Sequence, residues 1–172
     1  MIVGAGGPGA GHEDLRRILG LFPTGVAIIT TVAAAGPAGL VVNSFTSVSL
    51  DPPLVGFFPA HSSRTWPLIR AAGAFCVNIL AADQEPLARV FAGSGEDRFR
   101  GVPWRAAPHT GSPVLDGVLG WIDCTLYDVV PTGDHDLALG RVRSADAADD
   151  GVFTEPLVFH RSRYHLTAGG EA

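Results

Sequence analysis

The run His61-Ser62-Ser63-Arg64-Thr65-Trp66-Pro67 places one arginine among three hydroxyl side chains, between a strand-like segment and a helix-like one. Backbone N–H groups at a helix start have no intrahelical partner, and the helix dipole favours negative charge there. With Arg64 offering a fork of donors and Ser62, Ser63 and Thr65 adding hydrogen bonds, the segment is suited to an anion of the phosphate type. A plainer alternative fits the same residues: Thr65 caps the helix and Arg64 is a solvated charge.

A second polar group interrupts an otherwise apolar stretch. Asn43, Ser44, Thr46 and Ser47 are four small polar residues within five positions around Phe45. Unpaired hydroxyls and amides are costly in a sheet core, so these side chains either bond to backbone or water, or line a heterocycle with hydrogen-bonding edges. His135, between Asp134 and Asp136 and after Gly133, is the best placed of the six histidines for proton or substrate chemistry, because a neighbouring carboxylate can hold and orient its ring. His12, His61, His109, His160 and His165 form no metal-ligand spacing, and no metal is expected. The chain has no Gly-x-Ser-x-Gly elbow to support serine hydrolysis. Cys76 and Cys124, 48 positions apart in apolar surroundings, are expected as reduced core residues.

The elements that position these residues follow from periodicity. Leu15, Ile18, Leu19 and Phe22 recur at helical spacing from Glu13 onward, and Pro23 and Gly25 end that helix. Strands are predicted over 26–32, 40–50, 54–58, 74–80, 119–130, 137–145, 156–159 and 164–166, with a turn at Gly36-Pro37 and Asp51-Pro52-Pro53 breaking the second strand. Short helices are predicted over 65–72 and 83–92, the latter opened by an Asp83 cap with Pro86 in its first turn. Residues 93–113 read as a long polar loop carrying Phe99 and Trp104, of the kind that is often functional. Strands outnumber helices and are mostly joined by turns, which predicts a mainly β fold, an antiparallel barrel that is closed or partly open.

The whole chain sets further bounds. With 172 residues it has room for one core and not two domains. A charged content of 17% against 47% hydrophobic is thin for a surface left in water, so a homo-oligomer is expected. All 12 basic residues are arginine, no cluster exceeds Arg16-Arg17, and the net charge is −5, which makes nucleic acid a poor partner. Residues 18–50 carry no charge, yet Pro23, Gly36-Pro37, Asn43, Ser44, Thr46 and Ser47 break the run into pieces too short to span a bilayer. No secretory signal is visible, and a cytoplasmic location is expected. Gly4, Gly6 and Gly9 have the spacing of a dinucleotide-binding turn but lack the preceding strand and the following acid, so residues 1–12 are expected to be a tail, 13–167 the folded domain and 168–172 a second tail.

Six blocks in order, Phe-Pro-Thr-Gly-Val-Ala-Ile-Ile-Thr-Thr at 22–31, Gly-Leu-Val-Val-Asn-Ser-Phe-Thr-Ser-Val-Ser-Leu-Asp-Pro-Pro-Leu-Val at 39–55, Ser-Ser-Arg-Thr at 62–65, Phe-Cys-Val-Asn-Ile-Leu at 75–80, Asp-Arg-Phe at 97–99 and Gly-Asp-His at 133–135, resemble the flavin reductase-like family. The resemblance implies an FMN-binding split β-barrel, a homodimer, that uses NADH or NADPH to reduce FMN or FAD and supplies reduced flavin to a partner monooxygenase. On this chain it implies that Thr24 and the strand Asn43, Ser44, Phe45, Thr46 and Ser47 line the flavin ring and ribityl chain. It likewise implies that Ser62, Ser63, Arg64 and Thr65 hold the phosphate, that Arg98 and Phe99 contact the cofactor as a basic-aromatic pair, and that His135 lies near the nicotinamide. Leu40, where a small or hydroxylated residue is common, and Arg98, where lysine is common, depart from the family pattern. Hydride passes directly between such cofactors, so no protein nucleophile is needed. Two alternatives share the fold: an enzyme that keeps its flavin and acts on an organic substrate, and a non-catalytic flavin carrier.

Overall fold

The computed structural model describes residues 11–93, 95, 97–147 and 155–166. The glycine-spaced segment at 4–9 and the two expected tails, apart from Gly11 and His12, lie outside these. Among the described residues twelve strands dominate, with three short α-helices. Seven strands form one antiparallel sheet. In sheet order they are β3 (Gly36–Val42), β2 (Ala27–Ala33), β6 (Ala74–Ile79), β9 (Gly120–Thr132), β10 (His135–Ala147), β5 (Pro53–Phe57) and β4 (Thr46–Leu50).

The two edges of this sheet, β3 and β4, are consecutive in the chain and separated by Asn43, Ser44 and Phe45 alone. Three linking residues reach at most about 14 Å. Six strand spacings in a flat sheet would put the edges roughly 29 Å apart. The sheet must therefore roll up, and the chain passes from one edge to the other without reversing direction, because alternating antiparallel neighbours leave β3 and β4 pointing the same way. The strand predicted over 40–50 is thus two strands of one bent run. Its polar centre is the bend. Bulges at Ser47/Ser49 in β4–β5 and at two places in the long β9–β10 hairpin add the local twist that rolling requires.

Both faces of β2 are buried from Ala27 to Thr31. Ile29 joins an inner core with Phe57, Phe75, Val77 and Cys124, which α2 (Trp66–Ala72) caps through Trp66 and Ile69. Ile28 faces a second core with Leu80, Phe91, Leu115 and Leu157, covered by α3 (Glu85–Ala92) and by a small sheet of β1 (Thr24–Gly25), β11 (Leu157–His160) and β12 (Arg163–Leu166). Thr30 and Thr31 are buried on the same strand and satisfied: the Thr30 hydroxyl donates to the Pro113 carbonyl at 2.5 Å and that of Thr31 to Ala74 at 2.8 Å. Gly140 on β10 has no Cβ because the Phe75 ring occupies that space.

Three local expectations are corrected. The β2–β3 turn is Ala34-Ala35, and Gly36-Pro37 begins the next strand. Pro37 is tolerated there because β3 is an edge. Asp83 is not a helix cap: a 3₁₀ turn over Ala82–Gln84 precedes α3, and the Gln84 side chain accepts from the Ala81 N–H at 3.0 Å. The stretch 93–113 is not all loop, since β7 (Trp104–Ala106) pairs with β8 (Pro113–Leu115) in a two-stranded ribbon. Asn78 pins that ribbon to the barrel by donating to the Pro113 carbonyl and accepting from the Leu115 N–H. The expected first helix forms as α1 (His12–Leu19), and none of its residues is buried.

Candidate functional site

Strand order explains why distant residues meet. β5 lies between β4 and β10, so the chain leaving Phe57 runs past the tip of the β9–β10 hairpin before entering α2. That tip is a two-residue Gly133-Asp134 turn, and Gly133 supplies the positive φ of +68° that such a turn needs at its first position. His135 is the first residue after it. An isolated antiparallel bridge pairs Ala60 with His135, the His61 N–H donates to the Asp134 carbonyl at 2.9 Å, and the Asp136 N–H donates to Pro59 at 3.1 Å. The loop with the hydroxyls and Arg64 is in this way stitched to the turn with the histidine.

Between these segments and the bend after β3 lies a cleft of about 570 Å³, lined among others by Asn43, Ser44, Ser62, Arg64, Arg98 and His135. Its volume is within the range of roughly 300–1,000 Å³ usual for small-molecule sites. A second cleft of about 430 Å³ adjoins it, shares Arg64, Thr65 and Arg98, and continues along Ala33–Gly39 to Leu68 and Phe99.

The polar residues divide into those that build the walls and those left free. Ser44 Oγ accepts from the Phe58 N–H at 3.0 Å and ties the bend to the loop. Ser63 Oγ accepts from the Trp66 N–H at 3.2 Å, so Ser63 and not Thr65 caps α2 through its side chain. Thr65 Oγ1 donates to the Gly39 carbonyl at 3.4 Å and accepts from Arg98 at 3.2 Å. Arg98 also donates to the carbonyls of Gly39 at 2.8 Å and Gly93 at 2.6 Å, while its Nε is buried without a partner. By contrast, the Arg64 guanidinium, the Ser62 hydroxyl and the Asn43 amide make no hydrogen bond among the described residues.

The expected anion site is therefore narrower than the sequence suggests. At the start of α2 the Trp66 N–H is taken by Ser63, Pro67 has none, and the N–H of Leu68 donates to Thr65. No free helix amides remain at those positions, and the side-chain donors left uncommitted there are Arg64 and Ser62, with Ser63 retaining its own hydroxyl proton. A free guanidinium, a free hydroxyl and a free amide around one cleft suit a ligand with a phosphate at one end and a heterocycle at the other, as FMN or FAD has.

His135 is half exposed to the cleft, and its Nδ1 lies 2.7 Å from Asp134 Oδ1. An ionised carboxylate only accepts, so this contact puts a proton on Nδ1 and leaves Nε2 as the ring's free nitrogen. The hydrogen bond from His135 holds the Asp134 carboxyl below the usual aspartate range. Asp136 does not hold His135. Its carboxylate accepts from the Trp66 indole at 2.8 Å and meets His61 Nε2 at 3.0 Å, and these bonds, the indole's first, keep it ionised to lower pH than usual. The sequence pointed to a carboxylate beside His135, but nothing in it marked Trp66 and His61 as partners of Asp136, because the contact exists only once the loop crosses the hairpin tip.

The remaining expected residues lie elsewhere. Phe45 packs against the inner core, Thr46 and Ser47 are exposed on β4, and neither hydroxyl lines the cleft. Thr24 pairs with Phe159 in the small sheet, its hydroxyl buried without a partner. Phe99 stacks edge-on between Phe91 and Trp104 and borders the second cleft. Both cysteines are buried and unpaired, burial first and then Asp123 pushing the Cys76 thiol up to about 12. Among the described residues no cluster could hold a metal ion.

Comparison with known proteins gives a consistent pattern. Residues 19–168 match the model of the flavin reductase like domain. The reductase subunit HsaB of a flavin-dependent monooxygenase from Rhodococcus jostii is 42% identical over 166 residues, 95% of this chain and 83% of that protein. Nitrilotriacetate monooxygenase component B from Mycobacterium thermoresistibile superposes with a TM-score of 0.87 at 43% identity, covering 91% of this chain and 86% of that one. The NADH:FAD oxidoreductase SgcE6 of Streptomyces globisporus, solved with NAD and FAD fragments, superposes with a TM-score of 0.84 at 34% identity, covering 91% and 93%.

Proposed function

Because the chain belongs to the flavin reductase-like family, we propose that it is an NAD(P)H:flavin oxidoreductase that reduces FMN or FAD for a partner monooxygenase. The observation that carries this reading is the cleft itself, where the uncommitted Arg64, Ser62 and Asn43 line one continuous space with His135. When bound there, the flavin accepts hydride from the reduced nicotinamide and carries it away. The protein's own work is to bind, orient and keep water out.

Arg64 and Ser62 hold the phosphate by charge-assisted hydrogen bonds. Asn43, at the bend, has an amide free to meet a ring edge. Arg98 acts one step behind, holding Gly39, Gly93 and Thr65 so that the wall keeps its shape. His135, fixed through Nδ1 by Asp134, presents Nε2 to accept a hydrogen bond from the nicotinamide or to pass a proton.

The reading extends to assembly. Leu15, Ile18, Leu19, Leu21 and Phe22 form an exposed apolar set on and after α1, with Phe22 72% exposed, which supports a homodimer in which a second copy covers this surface. No described helix is long and apolar enough to cross a membrane. Two free buried thiols are consistent with a reducing compartment, and the cytoplasm is the proposed location.

The test is a steady-state assay of NADH and NADPH oxidation with FMN, FAD and riboflavin, beside an absorbance spectrum of the protein as purified and after dialysis. Flavin-dependent oxidation of a nicotinamide by colourless, dialysed protein is expected. Yellow protein that turns over without added flavin would instead make it an enzyme that keeps its cofactor.

A further inference from the structure

Resting on that reading, we propose that Asp136 is a positioning residue that locks the Arg64 loop and the His135 turn into one body, so that the phosphate-holding and nicotinamide-facing groups of that wall keep a fixed separation. Alternation along the two bridged segments carries the inference. Ala60 and His135 pair across the bridge, and Ala60, Ser62 and His135 all line the cleft. The residues in between, His61 and Asp136, do not line it and meet behind it, Nε2 to Oδ1 at 3.0 Å. The other oxygen of the same carboxylate receives the Trp66 indole N–H at 2.8 Å, on the first residue of α2.

One carboxylate thus joins the beginning of the loop at His61, its end at Trp66 and the residue after His135. Asp136 is only 6% exposed and Trp66 only 3%, so the indole bond is not readily replaced by water, whereas the His61 side chain is 48% exposed and forms the solvent-facing arm. Backbone bonds His61 to Asp134, Asp136 to Pro59 and Ser63 to Ala60 run beside it and fix the direction of each segment. They do not reach α2; the Asp136 carboxylate does. Asp136 touches neither the phosphate side nor the nicotinamide side of the cleft, and any role it has in turnover is exerted through Arg64 and His135.

The experiment uses the full chain. FMN affinity is read by titration, and the limiting rate of flavin reduction and its half-saturating NADH concentration by anaerobic single-turnover mixing, for wild type, Asp136→Ala, Asp136→Asn and the core variant Val77→Ala. Asp136→Ala is expected to weaken FMN binding and lower the limiting rate by about tenfold each, since both sides of the site lose their mutual register. The amide of Asp136→Asn still accepts from the indole and can donate to His61, and it should restore both quantities to within about threefold of wild type. Val77→Ala, which lowers the melting temperature without touching the clamp, should change neither.

Kinetics of Asp136→Ala that match those of Val77→Ala would overturn the proposal and leave Asp136 a stabilising residue only. If Asp136→Ala does not fold, Trp66→Phe and His61→Ala, each removing one arm, must both shift affinity and limiting rate in the same direction, and no shift in either would overturn it. Failure of wild type to reduce flavin at all would refute the functional reading instead, which keeps the two outcomes apart.

Discussion

Arg64 is the one cation at the cleft with no protein partner among the described residues, and it borders both clefts, so an anion bound there has room on either side. Arg64→Ala should cost FMN and FAD about 1.5–3 kcal/mol of binding. Riboflavin, which has no phosphate, should lose much less, and fluorescence titration with the three flavins checks the difference; equal losses would place the phosphate elsewhere. His135→Ala should leave FMN affinity nearly unchanged while slowing reduction. A fall in limiting rate would assign alignment or proton supply, and a rise only in half-saturating NADH would assign nicotinamide binding. Reduction equal to wild type at both limiting and saturating NADH would remove His135 from the site. Arg64, Ser62 and His135 stand out in the sequence as polar residues in or beside turns, and Asn43 as a polar residue within an apolar run, and the structure puts all four on one cleft. Ser44, Ser63, Thr65 and Arg98 looked the same in sequence but are spent on Phe58, Trp66, Gly39 and Gly93, and such assignments depend on which strands become neighbours.

At the scale of elements, the β9–β10 hairpin and the α2 loop carry the site between them. The indole and His61 hydrogen bonds depress the Asp136 carboxyl below the ordinary aspartate value of 3.8. A group depressed in the folded state contributes stability that is complete above its unfolded pKa and is lost as pH falls through the folded one. Wild type should therefore lose melting temperature on going below about pH 4, and Asp136→Asn, which has no proton to take up, should show a flatter profile over that range. Parallel slopes would mean that the clamp is not ionised in the folded protein. Gly140 allows β10 to pass over Phe75, so Gly140→Ala should cost about 1–3 kcal/mol through overpacking. Adding Phe75→Leu should recover part of that loss in a thermal melt. Strand identities were readable because β2, β6 and β9 are β-branched or alternating. The ribbon of β7 and β8 was not, because its strands are three residues long and owe their place to Asn78 and not to periodicity.

For the whole molecule, the barrel was inferred from strand count and turn chemistry, and the route of closure was not. A bend at Asn43–Phe45 reads as a continuous strand in sequence, whereas in the fold it carries the chain from one sheet edge to the other and forms a wall of the cleft. The apolar set from Leu15 to Phe22, together with Leu50 at 90% exposure, also becomes meaningful only at this scale. Sedimentation at micromolar concentration should show a species of two chain masses, and Ile18→Asp should shift it toward one if α1 is covered by the second copy. If this cleft brings a reduced nicotinamide and a flavin together for hydride transfer, the protein must speed bleaching of the flavin. Anaerobic stopped-flow mixing of the protein and one equivalent of FMN or FAD with NADH, following loss of the flavin's visible absorbance, measures that rate. The expected result is bleaching much faster than in the protein-free mixture, with a rate that saturates in NADH; bleaching no faster than without protein, for either flavin and with either NADH or NADPH, would contradict it.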